Sequence, residues 1–106
     1  MAQFDVHRNP GRNHDSIPFA VVLQSSVFDS YQRRVVIPLV RKSHISTIHH
    51  AGFNPSFTIT GMQVVLHPLE IVSVPAERLG DPIASLAAQG DKIIAAVDEL
   101  ISRAYG

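Results

Sequence analysis

Apolar residues come along this chain mostly in short unbroken or alternating runs, and only near the C-terminus do they fall into helical spacing. The first run predicts a short strand over Gln3–His7. The stretch "RNPGRNHDS" (Arg8–Ser16) that follows is polar and turn-forming, with Pro10 and Gly11 at its centre. "PFAVVLQ" (Pro18–Gln24) is continuously apolar and β-branched, the mark of a strand buried on both faces. "SSVFDSYQ" (Ser25–Gln32) reads as a connection, and "RRVVIPLV" (Arg33–Val40) as the next strand. Pro38 cannot donate a ladder hydrogen bond, which predicts an edge, a bulge or a strand end at that point. Arg41–Ser56 is long and mixed and predicts a loop or lid. "FTITGMQVVL" (Phe57–Leu66) places Gly61 between two β-type runs, as in a hairpin, and "EIVSVP" (Glu70–Pro75) is a strand stopped by proline.

Near the C-terminus the pattern changes. "GDP" (Gly80–Pro82) puts an aspartate at an N-cap position and a proline at the first helical position, predicting a short helix over Pro82–Ala88. "GDK" repeats the capping logic with Asp91, and a longer helix is expected to run to about Arg103. Its apolar stripe is Ile93, Val97, Leu100, Ile101 and Ala104. Strands followed by helix, without strand–helix alternation, predict a mainly antiparallel β protein with a C-terminal α-helix. A small barrel or rolled sheet with the helix packed on it is the simplest closed arrangement. The 106 residues fit one domain, 1–106.

Composition narrows the chemistry. Lysine plus arginine and aspartate plus glutamate both number nine, so the chain has no global field to attract nucleic acid or anionic lipid. There is no cysteine, which excludes disulfides, zinc–thiolate sites and cysteine nucleophiles. The N-terminus lacks a signal-peptide pattern, and no apolar run approaches the roughly 20 residues of a membrane span. A soluble cytoplasmic protein is expected.

Candidate catalytic features are sparse. His7, His14, His44, His49, His50 and His67 are scattered, with no helical i, i+4 pair, and read as surface histidines and not as metal ligands. Arg33, Arg34, Arg41, His44 and His49 could in principle serve a nuclease. The competing reading sets Arg33 and Arg34 on opposite faces of a strand, their stems covering apolar surface. No phosphate-cradling glycine loop, nucleophile elbow or carboxylate dyad is present. Val27 and Phe28 stand out as large apolar residues in a polar connection. They either tuck into the core or anchor a partner, and Tyr105 beyond the helix raises the same question.

Four stretches in this order and spacing resemble the CcdB family of toxins from toxin–antitoxin operons: "QFDV" at the start, "VVLQSSVFDSYQRRVVIPL", "SVP", and "DKIIAAVDELI" in the last helix. The resemblance implies a CcdB/PemK-like, Src-homology-like small barrel of five strands, a smaller sheet inserted beside it, a C-terminal helix, and a homodimer. It implies a protein that is not an enzyme and uses no cofactor. Such a protein binds the DNA gyrase A subunit and traps gyrase after DNA cleavage. A CcdA-like antitoxin neutralises it by wrapping the dimer with a disordered C-terminal segment. Carried over position by position, the gyrase-binding residues are Val27 and Phe28, then Asp98, Ile101, Ser102, Arg103 and Ala104. The tail departs from the family pattern, for Ser102-Arg103-Ala104, then Tyr105 and Gly106, stand where a terminal Gly-Ile is expected. Two alternatives stay open: a family member whose gyrase activity is lost or changed but which still binds antitoxin, and an RNA-cutting toxin of the PemK and MazF type.

Overall fold

The computed structural model describes residues 2–44 and 52–103. Within them lie seven strands, β1 (Asp5–Arg8), β2 (Phe19–Val22), β3 (Arg33–Arg41), β4 (Ser56–Ile59), β5 (Met62–Leu66), β6 (Val72–Pro75) and β7 (Ala84–Ser85), and one α-helix, α1 (Gly90–Arg103). Every described strand pairing is antiparallel. The hydrogen-bonded order is β4-β5-β3-β2-β1-β7, with β6 also on β3, and the sheet curls into a nearly closed barrel. The fold is therefore the mainly antiparallel β class with a C-terminal helix that the sequence predicts.

All four residues of β2 are buried, because both faces of this strand are covered. Phe19 and Val21 face the main core, with Val6, Ile37, Leu39, Val64, Leu66 and Ile93. Ala20 and Val22 face a second, smaller cluster with Val36 and Leu79. That double burial is why the sequence shows an unbroken apolar run here and not an alternation.

β3 organises the sheet. Along one edge it pairs with β2, from Phe19↔Leu39 to Val22↔Val36. Along the other it has two partners in succession, β6 against Arg33–Val36 and β5 against Leu39–Arg41. Pro38 falls in the interval between them. Its carbonyl accepts from the backbone N–H of His67 at 3.1 Å, so the edge lacking an N–H faces the handover point, where no strand requires a donor. The expected edge or strand-end setting is replaced by an interior gap with the same physical property. In place of the five-stranded barrel and separate smaller sheet that the resemblance implies, the described strands form one seven-stranded sheet, which ends in the β4–β5 hairpin. The hairpin shares β3 with the barrel strands, and its turn has Thr60 at φ 49 and Gly61 at φ 85, the pair of left-handed residues a two-residue turn needs.

The predicted helix over Pro82–Ala88, with Asp81 as its cap, is not formed. Ala84 and Ser85 instead pair with Val6 and Asp5 as β7, and the backbone N–H groups of Ile83 and Leu86 donate to Val6 and Phe4 carbonyls at 2.8 and 2.9 Å. The outer edge of β1 needs a partner, and that long-range demand overrides a local capping signal. A 3-10 turn at Ala87–Gln89 leads into α1, which begins at Gly90, so Asp91 lies inside the first turn and not at the cap. Its carboxylate is still favourably placed against the helix dipole. Other boundaries shift: β1 starts at Asp5, β2 ends at Val22, and Pro68–Glu70 is a 3-10 turn ahead of β6. Of the loop predicted over Arg41–Ser56, Lys42–His44 forms a further 3-10 turn, while 45–51 lie outside the described residues.

α1 packs on the turns Pro68–Glu70 and Ala87–Gln89. Ile93 and Ala96 are fully buried, and Val97 and Leu100 partly so. Ile101 departs from the predicted stripe and is 66% exposed. At 100° per residue it stands about 80° around the helix from Ile93, on the same flank as the exposed Ile94. Among the described residues no helix is long and apolar enough to cross a membrane.

Candidate functional site

The connection between β2 and β3 is built to display apolar side chains. Ser26–Phe28 forms a 3-10 turn whose N-cap, Ser25, accepts from the Val27 N–H through its hydroxyl at 3.3 Å. Successive N–H groups of Phe28, Asp29 and Tyr31 donate to Ser25, Ser26 and Phe28 carbonyls at 3.0, 3.1 and 3.1 Å. Val27 is 79% exposed and Phe28 49%. Of the two settings open to them in the sequence, core or surface, the structure selects the surface.

Two side chains hold this turn from beneath. The Gln24 amide donates to the Phe28 carbonyl at 3.1 Å and accepts from the Val35 N–H at 3.2 Å. Arg34 is buried, with 6% of its surface exposed. Its Nη2 donates to the Asp29 carbonyl at 2.8 Å and its Nη1 to the Arg33 carbonyl at 2.9 Å and to that of Tyr31. Its Nε lies 3.6 Å from the Asp29 carboxylate. Carbonyls and an anion thus surround a cation removed from water, the condition under which burial is tolerated. Arg33 points the other way and donates to the hydroxyl and carbonyl of Ser73 at 2.9 and 2.8 Å. Both arginines serve the fold, as one reading of the sequence held, but by specific hydrogen bonds more than by covering apolar surface with their stems.

Tyr31 belongs to the same surface and was missed by sequence reasoning. It is 64% exposed, and its ring meets that of Phe28 edge-to-face, with centroids 6.0 Å apart and planes at 71°. The available signal was an aromatic three residues after Phe28 in an otherwise polar connection. Gln24, Phe28, Tyr31 and Arg33 line a depression of about 370 Å³ beside the rings.

The second group of candidate residues sits at the end of α1. Asp98, Ile101 and Ser102 are exposed on its last turns and Arg103 is its final residue, while Ala104 and Tyr105 lie outside the described residues. The structure therefore gathers Val27 and Phe28 on one turn and Asp98, Ile101 and Ser102 on one helix end. The two groups stand on separate elements, the turn tied to β2 and β3 and the helix to other turns.

The histidines do not converge. His7 is fully buried in β1, where its Nδ1 is 3.2 Å from the Leu79 carbonyl, so the sequence reading of it as a surface residue is corrected. Val6 faces the main core, so alternation along β1 turns His7 to the opposite face, where it pairs with Ala20 and meets Leu79 of the smaller cluster. His14 contacts the Gly11 carbonyl, His44 bonds the Ser16 hydroxyl at 3.1 Å, and His67 precedes the Pro68–Glu70 turn. His49 and His50 lie outside the described residues. No group of three or more His, Asp or Glu among the described residues is placed to share a metal ion.

No curated protein matches the sequence. The sequence model of the CcdB protein family matches residues 3–102. That span takes in every strand, the braced turn and all but the last residue of α1, and on it the chain belongs to the CcdB family.

Proposed function

We propose that this chain is the toxin of a toxin–antitoxin pair, acting as a homodimer that binds the DNA gyrase A subunit in the cytoplasm and traps gyrase on cleaved DNA. A CcdA-like antitoxin relieves it. The action is by binding, without catalysis or cofactor. The observation that carries this reading is the display of Val27 and Phe28 on a braced turn, at positions where the family meets gyrase. An apolar pair held out into water on a hydrogen-bonded turn adds little to the core and fits a partner's pocket. Ile101, exposed on the helix end, is a second apolar anchor of the same kind. Support for self-association comes from β6. Only β3 pairs with it among the described strands, and Leu69 and Ile71 in the segment leading into it and Val72 at its start are exposed.

The test is expression of the chain in cells with native gyrase A and in cells with a gyrase A variant resistant to CcdB toxins, alongside cleavage-complex accumulation with purified gyrase. Toxicity that the resistant subunit relieves, with double-strand breaks on purified DNA, is expected. Toxicity in both backgrounds with cleaved cellular RNA would replace this reading by that of an RNA-cutting toxin. Antitoxin binding without gyrase inhibition would mark a member that has lost its target.

A further inference from the structure

We propose that Arg34 is the positioning residue of the partner-binding turn, acting through the backbone and not by touching the partner. The inference rests on the reading of Ser25–Gln32 as that turn. The carbonyls of Asp29, Tyr31 and Arg33 all point into the Arg34 guanidinium, and the Phe28 carbonyl points into the Gln24 amide. With the carbonyls of 28, 29 and 31 turned inward, Val27, Phe28 and Tyr31 are the large apolar side chains that the segment leaves exposed. A planar fork with five donors can satisfy three carbonyls at once, whereas a lysine ammonium has no such fixed geometry. The surface is thereby ordered before a partner arrives, and the ordering entropy of the turn is not charged to binding. Arg34 itself is buried beneath the turn, so it contributes without direct contact.

The experiment uses the full chain with Arg34→Lys, Phe28→Ala and the double variant. Native-state hydrogen exchange is read at the Phe28, Asp29 and Tyr31 amides, and the nuclear Overhauser contact between the Phe28 and Tyr31 rings is followed. Affinity for a gyrase A dimerisation-domain fragment is measured at matched folded concentration. In Arg34→Lys, exchange at these three amides is expected to rise at least tenfold while core amides of β2 and β5 hold. The ring contact should weaken, and the fragment should bind about tenfold less tightly, mainly through slower association. Adding Phe28→Ala to Arg34→Lys should then cost less than Phe28→Ala alone, because both act on one display. Unchanged exchange and ring contact would overturn the proposal, as would a loosened turn with full affinity or two strictly additive losses. If the unaltered chain fails to bind the fragment, the gyrase reading falls, while exchange and the ring contact still decide whether Arg34 orders the turn. Should Arg34→Lys not fold, Gln24→Ala tests the same bracing, and unchanged exchange at Phe28 and Asp29 would count against it.

Discussion

The ring of Phe4 lies across the first turn of α1 so closely that position 90 has no room for a side chain: a Cβ on Gly90 would sit 2.5 Å from Phe4 Cε2. Phe4 is itself held in the left-handed region at φ 70, with its N–H on the Val22 carbonyl at 2.7 Å and its carbonyl taking the Leu86 N–H at 2.9 Å. The N-terminal segment thus packs an aromatic, on a backbone bonded at both its N–H and its carbonyl, against the first residue of the helix.

Gly90→Ala is expected to lower stability by roughly 1–3 kcal/mol, the usual range for forcing a methyl group into a filled site. Thermal and urea unfolding would measure it. Phe4→Leu in the Gly90→Ala background should recover part of that loss, and a fully additive pair would show that the two residues do not interfere.

Phe28→Ala should leave the unfolding free energy within about 0.5 kcal/mol of the native value, since half of the side chain is already in water. Binding of gyrase A should fall by about 2 kcal/mol or more if Phe28 anchors the complex. Calorimetric unfolding and a binding titration on the same preparation separate the two effects. A large drop in melting temperature would return Phe28 to a structural role.

Tyr31 should matter through its ring. Tyr31→Phe keeps the edge-to-face contact with Phe28 and should bind gyrase A like the native chain. Tyr31→Ala should lose about 0.5–1.5 kcal/mol of affinity, the scale of an aromatic pair. Equal losses in both variants would assign the contribution to the hydroxyl.

On α1, Ile93 and Ile101 should part company. Ile93→Ala empties a fully buried position and should cost about 2–5 kcal/mol of stability. Ile101→Ala changes an exposed one and should leave unfolding almost unaltered while weakening toxicity. Melting curves beside growth inhibition would show the contrast, and its reversal would mean that the last turn of the helix packs as core.

Much of the fold could be read from local pattern. The β-branched runs of β2 and β3, the Gly61 turn and the Ile93 stripe each carry their cause within a few residues. What could not be read depends on distant partners. Asp81-Pro82 has every local mark of a helix start, and only the bare edge of β1, some 80 positions earlier in the chain, turns the segment after it into a strand. Arg34 looked like half of a charged pair, because nothing in the sequence shows two carbonyls of the preceding loop, those of Asp29 and Tyr31, turning back upon it. Val27 and Phe28 were visible as anomalies, but their exposure follows from that same capture and could not be assigned without it.

The handover at Pro38 divides the work of β3 between its two halves. Arg33–Val36 is bound to β6 and carries the guanidinium that braces the Ser25–Gln32 turn, while Leu39–Arg41 is bound to the hairpin. Along that edge the two partners are continuous in the chain, for the Pro68–Glu70 turn carries β5 directly into β6, and the His67 N–H on the Pro38 carbonyl pins that connection to the gap between them. Because proline has no N–H to offer, neither β5 nor β6 gains a ladder bond by sliding across it. One strand thus serves two tenants on a single edge, and the residue between them keeps each to its own register.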